Sequence, residues 1–120
     1  MSGEELEAAC LALPGAGKEF PFGEGIAVFK VRGKVFAIGR LDGDPPTISL
    51  RCEPELAVQL RAQHAAIAPG WHLNKRHWNT VTVDGSLPPR MIRELIEDSY
   101  DLVVEKLPRR QREALRWLAD

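Results

Sequence analysis

Val28-Phe29-Lys30-Val31-Arg32-Gly33-Lys34-Val35-Phe36-Ala37-Ile38 is the stretch that decides the fold. Two runs of β-branched and aromatic residues flank Arg32-Gly33, and that spacing predicts a two-residue hairpin turn. Upstream, Phe20 and Phe22 alternate as a strand would; downstream, Gly43, Pro45 and Pro46 mark a turn before Ile48 and Leu50 alternate out to Cys52. A four-stranded meander is expected. Pro54 suits a first helical position, and Leu56 with Leu60 then predicts a short helix to about His64. A fifth strand is expected at about Trp78–Val83, where Trp78, Thr80 and Thr82 alternate with Asn79, Val81 and Val83 before the Asp84-Gly85 turn.

Helices frame this sheet. Ser2 and Glu5 have capping-box spacing, and Leu6, Cys10 and Leu13 recur at helical intervals until Pro14-Gly15. A long helix follows Ser86, with Ile92, Leu95, Ile96, Ser99 and Val103 on one face, and Pro108 separates it from a basic terminal helix over 109–120. Consecutive strands that pair with each other predict an α+β, two-layer domain: an antiparallel β-meander sheet covered by helices on one side. Its expected core is Phe29, Val31, Phe36, Ile38, Leu60, Leu95, Ile96 and Val103.

At 120 residues, 44% of them hydrophobic, the chain suits a single domain over 1–120 with its own core. Sixteen basic against 17 acidic side chains argue against a polycation that coats nucleic acid, so any such site must be local. No apolar run reaches the ~20 residues of a membrane span, and the acidic start Met-Ser-Gly-Glu-Glu is unlike a secretory signal. A cytoplasmic monomer without membrane contact is expected. Cys10 and Cys52 have no paired redox or metal spacing and are read as reduced, apolar-packed thiols.

Function concentrates in Trp71-His72-Leu73-Asn74-Lys75-Arg76-His77-Trp78-Asn79-Thr80, which holds aromatic faces, cations and amides but no acid. Trp71, His72, Asn74, Lys75, Arg76, His77 and Asn79 are the candidates for binding nucleic acid or another anion: two cations to hold phosphate, amides to donate to it, and an aromatic ring to stack on a base. Against this, Asn74 is an ordinary turn residue, and Trp78, at a strand start, is expected to be buried. A histidine pair at 72 and 77 invites zinc, with Cys52 or His64 as further ligands, yet the short Cys/His spacing of zinc sites is missing. No cofactor, metal or catalytic residue is expected. His77 and Asp84, seven residues apart on a strand, would face opposite sides about 23 Å apart, too far for an acid–base pair. The terminal cations Lys106, Arg109, Arg110, Arg112 and Arg116 read more readily as helix-end electrostatics than as a phosphate surface.

Leu13-Pro14-Gly15-Ala16, Phe20-Pro21-Phe22-Gly23, Val28 to Val31 running into Gly33 to Ala37, Leu50 to Glu55, His72 to Trp78, and Ser99-Tyr100-Asp101-Leu102-Val103 together resemble the MmcQ/YjbR family, over nearly the whole chain. The resemblance implies a fold similar to the frataxin-like and double-wing domains and a DNA-binding label that rests on that fold likeness. A non-enzymatic domain that contacts DNA phosphates around Lys75 and Arg76 is the leading expectation; with about three phosphates neutralised, the salt slope would be about −2.7. The rival is a module for a protein or small ligand, with the same segment as a pocket rim around Trp71. A frataxin-like iron site would use Glu4, Glu5 and Glu7 of the first helix, but their placement is already explained by the helix dipole.

Overall fold

The hairpin at the centre of the sheet is built as its dipeptide requires. In a computed structural model, which describes residues 1–70 and 73–119, β2 (Ile26–Val31) turns directly into β3 (Lys34–Arg40). Arg32 (φ 50°) and Gly33 (φ 81°) both adopt the left-handed conformation that such a short connection demands. Val31 faces Lys34 and Lys30 faces Val35, but Phe29 faces Ala37, so Phe36 is an extra residue in β3. This bulge turns both Phe36 and Ala37 into the core, where each is fully buried.

The same shift moves Ile38. Strict alternation places it inward with Phe36; instead it pairs with Val28 on the opposite face of the sheet, half-buried and outside the core cluster. A one-residue slip reverses every later side chain of a strand, and periodicity cannot reveal it.

Around this pair the sheet runs β1-β2-β3-β4-β6-β5, antiparallel throughout, with β1 at Ala16–Glu19, β4 at Thr47–Arg51, β5 at Ile67–Pro69 and β6 at Trp78–Thr82. Four helices accompany it among the described residues: α1 (Gly3–Leu11), α2 (Pro54–Gln63), α3 (Pro89–Glu105) and α4 (Arg109–Ala119). The α+β architecture is the expected one, with two changes. The first strand lies before Phe20 and Phe22, which are exposed in a turn where Pro21 lacks a ladder N–H and Gly23 has positive φ. The short β5 has no counterpart in the sequence expectation, because three residues ending in proline show no period.

Inward residues of the sheet, among them Phe29, Val31, Phe36, Ile48, Leu50 and Val81, form one cluster with Leu6 and Cys10 of α1, Leu60 of α2, and Ile92, Ile96 and Val103 of α3. Leu95 is only partly buried at its margin. The expected capping box is present: Ser2 Oγ accepts from the Glu5 N–H, and the Glu5 carboxylate accepts from the Ser2 N–H.

One polar group is central to this core. The β3–β4 ladder ends at Ala37 opposite Leu50, so Phe36 and Arg51 would be the next pair. The Ser99 hydroxyl, fully buried on α3, occupies their place: it donates to the Phe36 carbonyl (2.6 Å) and accepts from the Arg51 N–H (2.9 Å). Beside it, the Tyr100 ring meets Phe36 edge-on at 5.4 Å, and its hydroxyl donates to the Pro14 carbonyl at 2.5 Å. Thus α3 closes a gap in the sheet and ties down the α1–β1 turn. Replacing Ser99 by alanine leaves a buried donor and acceptor unpaired, so Ser99→Ala should lower stability by about 1–3 kcal/mol. Urea unfolding checks this as a lower midpoint at unchanged slope.

Candidate functional site

The turn before β6 is held from below. The Asn74 side-chain oxygen accepts from the Arg76 N–H, and its backbone carbonyl accepts from the N–H groups of His77 and Trp78. Arg61 of α2 clamps the turn, donating from one terminal nitrogen to both the Lys75 carbonyl and the Asn79 side-chain oxygen, each at 3.0 Å. Asn79, expected among the anion ligands, is instead 3% exposed and donates its amide to the Ala57 carbonyl. It belongs to the clamp, because its position in β6, opposite Leu50, points it inward. Asn74 likewise shapes the turn. Lys75 and Arg76 are exposed and His77 is half-buried; Trp71 and His72 lie outside the described residues.

Trp78 is 8% exposed, as its strand position suggested, and the Arg51 guanidinium lies 5.7 Å from its ring centroid. Here the structure adds something unexpected. Where β3 and β4 part beyond the Ser99 bridge, a cavity of about 440 Å³ opens, lined by Lys34, Val35, Arg51, Trp78, Val103, Lys106 and Leu107. Three cations from three separate elements meet here, no carboxylate lines the space, and no salt bridge joins them to an acid among the described residues. No contiguous motif announces it. Lys34 begins β3, Arg51 ends β4 and Lys106 caps α3, so only the shared end of the sheet unites them.

Other charged candidates are already occupied. Arg109 pairs with Glu113 along the exposed side of α4, and Arg112 donates to the Glu105 carbonyl at the end of α3, a helix-end contact. Leu115 docks into the core, while Leu118 stays exposed and Trp117 is 83% exposed. On the first helix Glu5 caps and Glu7 pairs with Lys18. The Ser2 hydrogen bonds hold the Glu5 carboxyl below the usual range. Asp84 accepts from the N–H and hydroxyl of Ser86, which lower its pKa, and it lies across β6 from His77. Among the described residues no three His, Cys, Asp or Glu side chains gather as a metal would require. No described helix is long and apolar enough to cross a membrane.

A family model described as YjbR matches residues 11–102. The chain belongs to the YjbR family. It is 40% identical over 115 residues to the uncharacterized protein YjbR of Escherichia coli K12, covering 96% of this chain and 98% of that one. The uncharacterized protein YbdF of E. coli O157:H7 is 33% identical over 113 residues, 94% of this chain and 93% of its own. The crystal structure of Deinococcus radiodurans protein DR2400 superposes with a TM-score of 0.89 at 38% identity, covering 95% of this chain and 87% of that one. Two of the strings that carried the YjbR resemblance have concrete tasks in this chain: Asn74–Trp78 forms the clamped turn, and in Ser99-Tyr100 the serine bridges the sheet while the tyrosine holds the Pro14 carbonyl.

Two outcomes follow from this geometry. Arg61→Ala should release the turn, raising amide exchange at Arg76, His77 and Trp78 about tenfold, the equivalent of ~1.4 kcal/mol for a charged hydrogen bond; hydrogen–deuterium exchange by NMR reads this directly. The two thiols should also differ. Burial pushes Cys10 up to about 12, and burial raises half-buried Cys52 as well. Cys10 contributes stability that is whole below its unfolded value near 9 and is lost as pH climbs toward 12. In native protein at pH 8, Cys52 should therefore react with a thiol reagent first, and Cys10 only at the rate of unfolding.

Proposed function

We propose that this YjbR-family chain is a binding domain rather than an enzyme, and that it engages nucleic acid through phosphate contacts at the basic end of its sheet. The observation that carries the reading is the convergence of Lys34, Arg51 and Lys106 on one cavity without a carboxylate. Lys75 and Arg76 stand on the turn leading into Trp78, which lines that cavity. A chain of net charge −1 has no long-range attraction for a polyanion, so local cations must supply it. Trp78 is too buried to stack on a base; it serves as the platform that orients Arg51. Contacts of this kind position a backbone and read little sequence. A cytoplasmic setting, which free Cys10 and Cys52 suit, and a monomeric state are parts of the same reading.

Five phosphate contacts on duplex DNA would make log Kobs fall with log salt at a slope of about −4.5, steeper than the turn alone would give. Lys34→Ala with Lys106→Ala, and separately Lys75→Ala with Arg76→Ala, should each flatten it by about 1.8, since each pair removes two contacts. Fluorescence anisotropy with duplex and single-stranded oligonucleotides at several salt concentrations measures this. Wild-type protein that shows no salt-sensitive binding at low ionic strength, or pair variants that bind as wild type does, would end the proposal.

A further inference from the structure

On the helical side of the sheet, α2 and α3 stand apart and leave a second cavity of about 260 Å³ between them. Its floor is Leu50, Ile67 and Val81, and Leu56, Leu95 and Leu102 form its walls. Leu56 is 41% exposed for this reason: it faces an open groove and not a packed neighbour. The rim has a single sign. Glu53, Asp98, Asp101 and Glu105 line it, and the one cation among the lining residues, Arg51, has its guanidinium over the Trp78 ring.

Asp98, Asp101 and Glu105 fall at i, i+3 and i+7 along one face of α3, where like charges raise each other's free energy. None is in a salt bridge among the described residues. Desolvation, with the charges of Asp101 and Glu94, raises the Asp98 pKa, consistent with a carboxylate that lacks a cation nearby. An apolar floor beneath an unneutralised acidic rim complements a molecule with an apolar body and one positive charge. Its volume lies below the ~300–1,000 Å³ of drug-sized sites, so the occupant is small.

We infer that the α2–α3 groove binds a small organic cation, its hydrocarbon body on Leu50, Ile67 and Val81 and its ammonium at the Asp98–Asp101 rim. Arg51 lines both this groove and the basic cavity, but the residues that would hold the cation, Leu50, Ile67, Val81, Asp98 and Asp101, line the groove alone, so neither reading depends on the other.

The test uses the full chain and two probes of matched shape, n-octylammonium and n-octanol, titrated in two-dimensional NMR at neutral pH. Octylammonium should perturb groove amides, including those of Leu56, Asp98 and Leu102, and bind at least tenfold more tightly than octanol. Asp98→Asn with Asp101→Asn should bring the ammonium down to the affinity of the alcohol while leaving alcohol binding unchanged. Leu102→Trp, which fills the groove, should abolish both; a native-like spectrum of each variant confirms folding. Equal affinity for the two probes, retention of ammonium selectivity in the Asn variant, or no binding of either probe overturns the proposal. So does a wild-type dimer that Asp98→Asn with Asp101→Asn dissociates, because the basic α4 of a second copy, with its exposed Trp117, would then be the occupant.

Discussion

Much of this molecule depends on one hydroxyl group between two strands that have begun to separate. The bulge at Phe36 lets two consecutive residues enter the core, and the cost is a ladder that stops one pair early. An unpaired carbonyl and N–H in the interior would cost a few kcal/mol, and Ser99 satisfies both from α3. The helix is thereby fixed in rotation and depth. Once Ser99 is seated, Ile92, Ile96 and Val103 fall onto the sheet, Tyr100 reaches Phe36 and Pro14, and Asp98, Asp101 and Leu102 are turned toward α2.

The parting of β3 and β4 is also what makes a surface feature possible. A continuous ladder would bring Val35 beside Cys52; β3 and β4 part instead, while the Cys52 N–H continues the β4–β6 pairing to the His77 carbonyl, and the space between the parted strands is the cationic cavity. Two like charges a few ångströms apart repel by about 1 kcal/mol in water. The fold tolerates that repulsion because Lys34 and Lys106 are exposed and Arg51 rests on an aromatic face. The acidic groove is its neighbour along α3, and Arg51 lines both. A near-neutral chain therefore carries two adjoining surfaces of opposite charge, and net charge describes neither.

The basic-aromatic segment has a different standing from the one its composition suggested. Composition marked it as a ligand surface, yet Asn74, Asn79 and Trp78 are consumed in building the turn and its junction with the sheet. What the segment leaves in solvent, among the described residues, is mainly Lys75 and Arg76. Polar side chains at a turn satisfy the backbone first, since an unmet buried donor costs more than an exposed ligand contact returns.

The amino-acid sequence by itself determined the α+β class, the hairpin at Arg32-Gly33, the capping of α1, the stripe of α3 and the strand at Trp78, because each rests on interactions between residues near in the chain. Family likeness was legible for the same reason, in short strings. Only the tertiary structure decided that Ile38 leaves the core, that Ile67–Pro69 forms the strand at the sheet edge, that Asn79 is buried, and that Lys34, Arg51 and Lys106 share a cavity. These depend on register and on which strand ends meet. Register is chosen by the total packing of the sheet against α3, a quantity no local period contains.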